Sequence, residues 1–308
     1  MFEKIIWIYW EQGWDNVPLI CNLCKQSWEK LNSTTWKINV LHKNNIDNFI
    51  NVNEINTNFW DIKPIQARAD IIRSLLLQKY GGVWVDSTTM CMIPLDNWLF
   101  THFDINDEND FFVFKIMTKK LSLSNWFLVS HPNNYIINKF TEKYTTYFKT
   151  NLISLEYFQF HKDFCFLLEN DKLFYTHYTK NKKLCAKRAR TFTCILGFDG
   201  NLNINEIIKK YKSPVYKLSY KIYLDYTKDT YISRLFKKIG INIKRHENTQ
   251  NTQNTQNTQN TPNTSNTPNI KNKIIKIKNS QIKNIKNIKI NKNENNNSKT
   301  KMITLKQN

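Results

Sequence analysis

The chain has 308 residues, 41% of them apolar and 14% aromatic, with six cysteines and a formal charge of +20. A chain of that size buries roughly 70 to 75% of the surface it exposes when unfolded, so its core needs neither disulfides nor a structural metal. The cysteines at 21, 24, 91, 165, 185 and 194 form no regular framework, no apolar run reaches about 18 residues, and the opening lacks signal-type organisation; a reducing, cytoplasmic setting is expected.

KIIWIYW (4–10) is a short, almost wholly apolar run, the pattern of a strand buried on both faces of a parallel sheet. Residues 18–31 then read as a helix with proline near its first turn. That helix contains CNLC, but a structural zinc would need two further ligands at a matching spacing, and no later pair supplies them, so Cys21 and Cys24 read as core. WKINVL (36–41) alternates like a second strand, and 46–52 suits a short helix. Residues 65–80 carry Ile65, Ala69, Ile72 and Leu76 on one stripe and stop at Gly81-Gly82, after which VWVD forms a third strand. Strand, helix, strand, helix, strand predicts an α/β fold: right-handed crossovers and a mostly parallel sheet flanked by helices. Residues 110–117 and 125–130 read as further strands, and 135–148 as a helix.

The folded domain is expected to span 1–243. From 244 the text turns into NTQ repeats and a lysine-isoleucine stretch with 13 Lys and Arg against 2 Glu, a formal +11 of the total +20. Such repeats bury too little apolar surface to offset ordering entropy, so this tail is expected to be disordered. Its lysines suit an anionic membrane surface at about 1 kcal/mol each, or a nucleic-acid backbone without sequence specificity. The same enrichment in Asn, Lys and Ile also follows from an AT-rich coding sequence with no selected function.

Asp86 ends the third strand, where a carboxylate is costly to bury. Ligands of open α/β sheets bind beyond the carboxyl ends of the strands, so Asp86 either faces a cleft or caps a turn through Ser87 or Thr88. On the preceding helix Asp70 and Arg73, three residues apart, present an acceptor and a fork of donors together. Two readings stay open: a sugar-nucleotide contact, or a surface ion pair worth under about 1 kcal/mol.

The run A-R-A-D-I-I-R, six residues, Y-G-G-V-W-V-D-S-T, then I-P-L resembles the sugar-binding DXD region of glycosyltransferase family 32 and, more closely, the capsular polysaccharide synthesis protein family. KIIWIYWEQGW, NWFLVSHP, YFQFH and SPVYKLSYK agree, so the resemblance covers about Phe2 to Lys221. It implies a GT-A-type nucleotide-sugar-binding fold and transfer of a sugar, with retention, from a nucleotide-sugar (a UDP-sugar foremost) to a polysaccharide or glycolipid acceptor. Trp10 would lie against the nucleobase, Asp70 and Arg73 would hold ribose or donor sugar, Asp86 would be the first DXD aspartate, and Asn125 would approach the donor sugar. A divalent ion, Mn²⁺ or Mg²⁺, would bridge Asp86 and the diphosphate, although Thr88 stands where the second aspartate usually is, and a hydroxyl binds such an ion more weakly. His161, with Asp163 nearby, is a candidate acceptor-side or catalytic group or else an imidazole inside an aromatic cluster, while Lys217, Arg188 and Arg190 are candidates for phosphate contact. The competing function is a non-catalytic carbohydrate-binding protein, or a basic-tail interaction protein, on the same scaffold.

Overall fold

The computed structural model describes residues 2–118, 121–149, 154–180, 183–195, 203–220 and 230–243; the basic segment from 244, with the expectations attached to it, lies outside them. The described residues belong to one compact unit, Met1–His246.

The opening apolar run forms β1 (Ile5–Tyr9), buried at all five positions. Helix α1 (Leu19–Asn32) leads to β2 (Lys37–Leu41), and α2 (Ile65–Tyr80) leads to β3 (Gly82–Asp86). β1 pairs parallel with both β2 and β3, the arrangement predicted from the alternating elements. β2 and β3 lie on opposite sides of β1, so crossovers of one hand place α1 and α2 on opposite faces of the sheet. The alternation of side chains along β1 reflects this. Ile5, Trp7 and Tyr9 pack with the Ile71, Ile72 and Leu76 face of α2, whereas Ile6 and Ile8 pack with Trp28 of α1.

The helix stop after Tyr80 requires glycine twice. Gly81 and Gly82 have φ of 65° and 90°, and a Cβ would come within 2.6 Å of the Pro132 backbone at the first and of the Ile5 carbonyl at the second. The expected helix over 46–52 is two short 3₁₀ turns instead, Ile46–Asn48 and Val52–Glu54.

After β3 the chain turns at Ser87-Thr88 into a short β4 (Thr89–Cys91). β5 (Phe111–Thr118) and β6 (Leu121–Ser130) extend the main sheet antiparallel, giving the order β2-β1-β3-β6-β5. The sheet is therefore mixed, because a direct β5-β6 connection leaves no length for a crossover helix. Helices α3 (Tyr135–Lys149), α4 (Gln159–Asn170) and α5 (Lys172–Thr179) follow, and Phe140, Tyr144, Phe160 and Phe164 join the α2 side of the core.

Late in the chain β7 (Val215–Lys217) pairs antiparallel with β4 in a separate two-stranded sheet. α1 holds this sheet in place: Trp28 Nε1 donates to the Thr89 carbonyl at 2.7 Å and Ser27 Oγ accepts from the Cys91 amide at 2.9 Å. Cys21 and Cys24 lie on the same helix, fully buried among Met90, Tyr216 and Leu218, and both are free thiols. The CNLC pair is therefore core, and that burial pushes the Cys21 thiol up to about 11.

Candidate active site

β1 and β3 end together at one carboxyl edge, and β6 runs past it with Asn125 inside the strand. Tyr9 pairs with Asp86, so Trp10 follows just past the aspartate. Phe127 of β6 pairs with Val85, which brings Asn125, two residues earlier, beyond Asp86 from the other side. α2 runs beneath this edge with Asp70 and Arg73 facing it.

Asp70 and Arg73 are each only 4% exposed, which excludes the surface ion pair. Their spacing on the helix says they are neighbours; burial comes from α3 and α4 packing over them. Arg73 Nη2 lies 3.3 Å from Asp70 Oδ1 and 3.4 Å from Asp86 Oδ1, so one guanidinium ties both carboxylates together. Its Nη1 donates to the Asn125 carbonyl and its Nε to the Ala69 carbonyl, while the guanidinium carbon sits 5.0 Å from the Trp84 ring and 5.6 Å from the Phe160 ring. The guanidinium thus braces protein groups, with its donors engaged inside the fold.

The two carboxylates respond differently. Asp70 is pushed up to about 6, first by burial and then by Asp86, against the opposing pull of Arg73 and of hydrogen bonds from Asn125 (3.1 Å) and Tyr144. Burial pushes Asp86 the same way, yet Lys217 and Arg73 outweigh it and hold the carboxyl below its ordinary value. Lys217 Nζ donates to Asp86 Oδ2 at 2.6 Å and to Thr88 Oγ1 at 2.7 Å. Trp84 Nε1 adds a hydrogen bond to Asp86 Oδ1 at 3.1 Å.

These partners bear on the expected metal. A divalent ion at D-S-T would find one carboxylate and one hydroxyl, both already bonded to an ammonium, and among the described residues no group of three His, Cys, Asp or Glu could hold a metal ion. The residues as they stand do not fit a divalent cation.

Of the other sequence-predicted residues, Trp10 sits at the expected strand end, half-buried, with its ring edge-on to Tyr220 at 5.2 Å and apart from the Arg73 cluster. His161 begins α4 beside Phe158 and Phe160, and burial, then the Arg73 charge, lowers it to about 4, so it is neutral at physiological pH. Its Nδ1 has no hydrogen-bond partner among the described residues, so the aromatic surroundings enclose the imidazole without fully satisfying it. Arg188 and Arg190 are exposed and join nothing in the cluster. Lys217, Trp84 and Tyr144 complete the site beyond the aspartates and arginine read from the motif. Lys217 stood out in sequence only as one of several basic residues, since its partner Asp86 lies 131 positions away and no local pattern links them.

A family model described as capsular polysaccharide synthesis protein matches residues 1–237. Curated relatives include the glycosyltransferase afumC of Aspergillus fumigatus, 30% identical over 101 residues, or 30% of this chain and 26% of that protein. The O-glycosyltransferase PaGT of Phomopsis amygdali is 23% identical over 154 residues, 46% of this chain and 38% of that one. The chain therefore matches between about a quarter and two fifths of the length of these relatives. A solved structure, the PaToxG glycosyltransferase, aligns at 12% identity with a TM-score of 0.40 over 77% of this chain and 86% of its own.

Proposed function

The chain belongs to the capsular polysaccharide synthesis protein family, and from that premise we propose that it is a glycosyltransferase moving a hexosyl group from a nucleotide-sugar, a UDP-sugar foremost, to a surface polysaccharide or glycolipid. The observation that carries this reading is the convergence of Asp70 and Asp86 on one buried guanidinium at the carboxyl ends of β1 and β3, where ligands of open α/β sheets bind. The relatives named as glycosyltransferases support it.

In this reading the fold supplies positioning more than proton chemistry. Asp86, locked as an anion, accepts from donor hydroxyls; Asn125 and Tyr144 orient Asp70; Arg73 ties the two carboxylates together. Trp10 offers an aromatic face at the strand end for the nucleobase. Retention suits these groups. A side-chain base works best with a pKa near the operating pH and access to the acceptor, whereas Asp86 is held low, His161 is lowered to about 4, and Asp70, though pushed up to about 6, is sealed with Arg73 and Asn125 on its Oδ1. The C1–O bond to the diphosphate breaks with its electron pair on the departing phosphate oxygen. The acceptor hydroxyl oxygen forms the new bond to C1, and its proton passes to that same phosphate oxygen. Among the described residues no helix is long and apolar enough to cross a membrane.

Incubating the full chain with a panel of UDP-, GDP- and CDP-sugars tests this. Wild type releases free nucleoside diphosphate, and Asp86→Asn and Asp70→Ala, checked for folding by circular dichroism, lose it by roughly a hundredfold or more. Unchanged release from both variants overturns the assignment, and tight glycan binding with no release at all favours the binding-protein alternative.

A further inference from the structure

We propose that the Lys217 ammonium is the cation of this site: anchored on Asp86 and Thr88, it binds the donor's diphosphate in the role a divalent ion plays at a two-aspartate motif, so donor binding needs no metal. The inference rests on the glycosyltransferase reading and deepens it.

Charge counting favours it. Two carboxylates with a divalent cation sum to zero, and so do one carboxylate, one hydroxyl and one ammonium. Thr88 in place of an aspartate removes one negative charge, and Lys217 in place of a dication removes one positive charge, so the two departures compensate. Without Lys217, Asp86 would meet an incoming diphosphate as a like charge.

Geometry favours it as well. Lys217 Nζ sits 2.6 Å from Asp86 Oδ2 and 2.7 Å from Thr88 Oγ1, between the first and third positions of D-S-T. An ammonium has three donors, and these two contacts leave one for a ligand oxygen. The Lys217 and Asp86 side chains keep 18% and 24% of their surface exposed, while Asp70 and Arg73 keep 5%, so the lysine forms the accessible lip of the cluster and Arg73 its sealed floor. The position is built in advance. Thr89 pairs with Lys217 across β4 and β7, and the Leu218 amide donates to the Thr88 carbonyl at 2.8 Å, fixing lysine and motif in one ladder.

The test is calorimetric titration of the full chain with UDP, GDP, CDP, ADP and dTDP, each in EDTA and in Mn²⁺. One of these binds wild type equally well in both conditions. Lys217→Met weakens that nucleotide roughly ten- to a hundredfold, the loss of one charge-assisted contact, and leaves its parent nucleoside unaffected. Lys217→Met/Thr88→Asp, which restores a two-aspartate motif, regains the nucleotide only when Mn²⁺ is present. Binding to wild type that disappears in EDTA overturns the proposal while leaving the transferase reading intact, and this arm needs no variant. Undiminished diphosphate binding by folded Lys217→Met overturns it too. A wild type that binds none of the five in either condition removes the donor reading itself, and the lysine's role with it.

Discussion

Two banks of the candidate site use similar residues to opposite effect. On the bank formed by α2, β3 and β7, Asp86 has Arg73 on one oxygen and Lys217 on the other and lies below its ordinary pKa. On the bank formed by α3 and α4, Asp163 is raised by burial despite hydrogen bonds to Oδ1 from Tyr147 (2.8 Å) and Gln159 (3.1 Å), and its Oδ2 has no hydrogen-bond partner among the described residues. Burial pushes both carboxyls upward. What separates them is cations in close contact: Asp86 has an ammonium at 2.6 Å, whereas Lys143 stays 3.9 Å from Asp163. Asp86 thus stays charged on one bank, while on the other burial holds Asp163 and His161 toward their neutral forms.

The strongest way to break this contrast is Arg73→Met. It leaves Asp70 and Asp86 facing each other with the shared guanidinium gone, and urea unfolding at neutral pH should show a loss of roughly 3 to 5 kcal/mol, the usual consequence of stranding a buried partner. Adding Asp70→Asn recovers part of that loss if like-charge repulsion is the cause, and recovers nothing if lost packing is.

Asp70→Asn alone acts through pH. The folded-state pKa of Asp70 is raised from 3.8 to about 6, so its contribution to stability is full below the unfolded value and is lost as pH rises through about 6. Unfolding free energies of wild type should therefore decline between about pH 4 and 6 by an amount on the order of 3 kcal/mol relative to the variant. Parallel curves for the two proteins would contradict the burial assigned to this carboxyl.

His161→Gln gives an effect of similar size, with the opposite sign. A histidine lowered from 6.5 to about 4 contributes stability above its unfolded pKa and loses it as pH falls through the folded one. The variant should lose less stability on acidification across that window, by on the order of 3 kcal/mol. An unchanged acid limb would place the imidazole in water.

Much of the fold could be read locally. The apolar run of β1, the glycine stop of α2 and the aspartate ending β3 are short-range patterns, and all three appear at the expected residues. Helical spacing also placed Asp70 beside Arg73. It could not say that both are buried, because periodicity ranks one face of a helix against another, and α2 is covered on most sides once α3 and α4 pack on it. The antiparallel pairing of β5 and β6 was likewise hidden, since a strand's own residues do not state its direction.

By itself, then, the amino-acid order determined which segments become strands and helices and which side chains stand at their ends, since those depend on contacts a few residues apart. The tertiary structure alone decided that Lys217 meets Asp86 and Thr88, that Arg73 is sealed and that Lys143 stops 3.9 Å from Asp163. Each of those follows from pairing or packing between residues far apart in the chain, and the electrostatic character of a buried group is set by those distant neighbours.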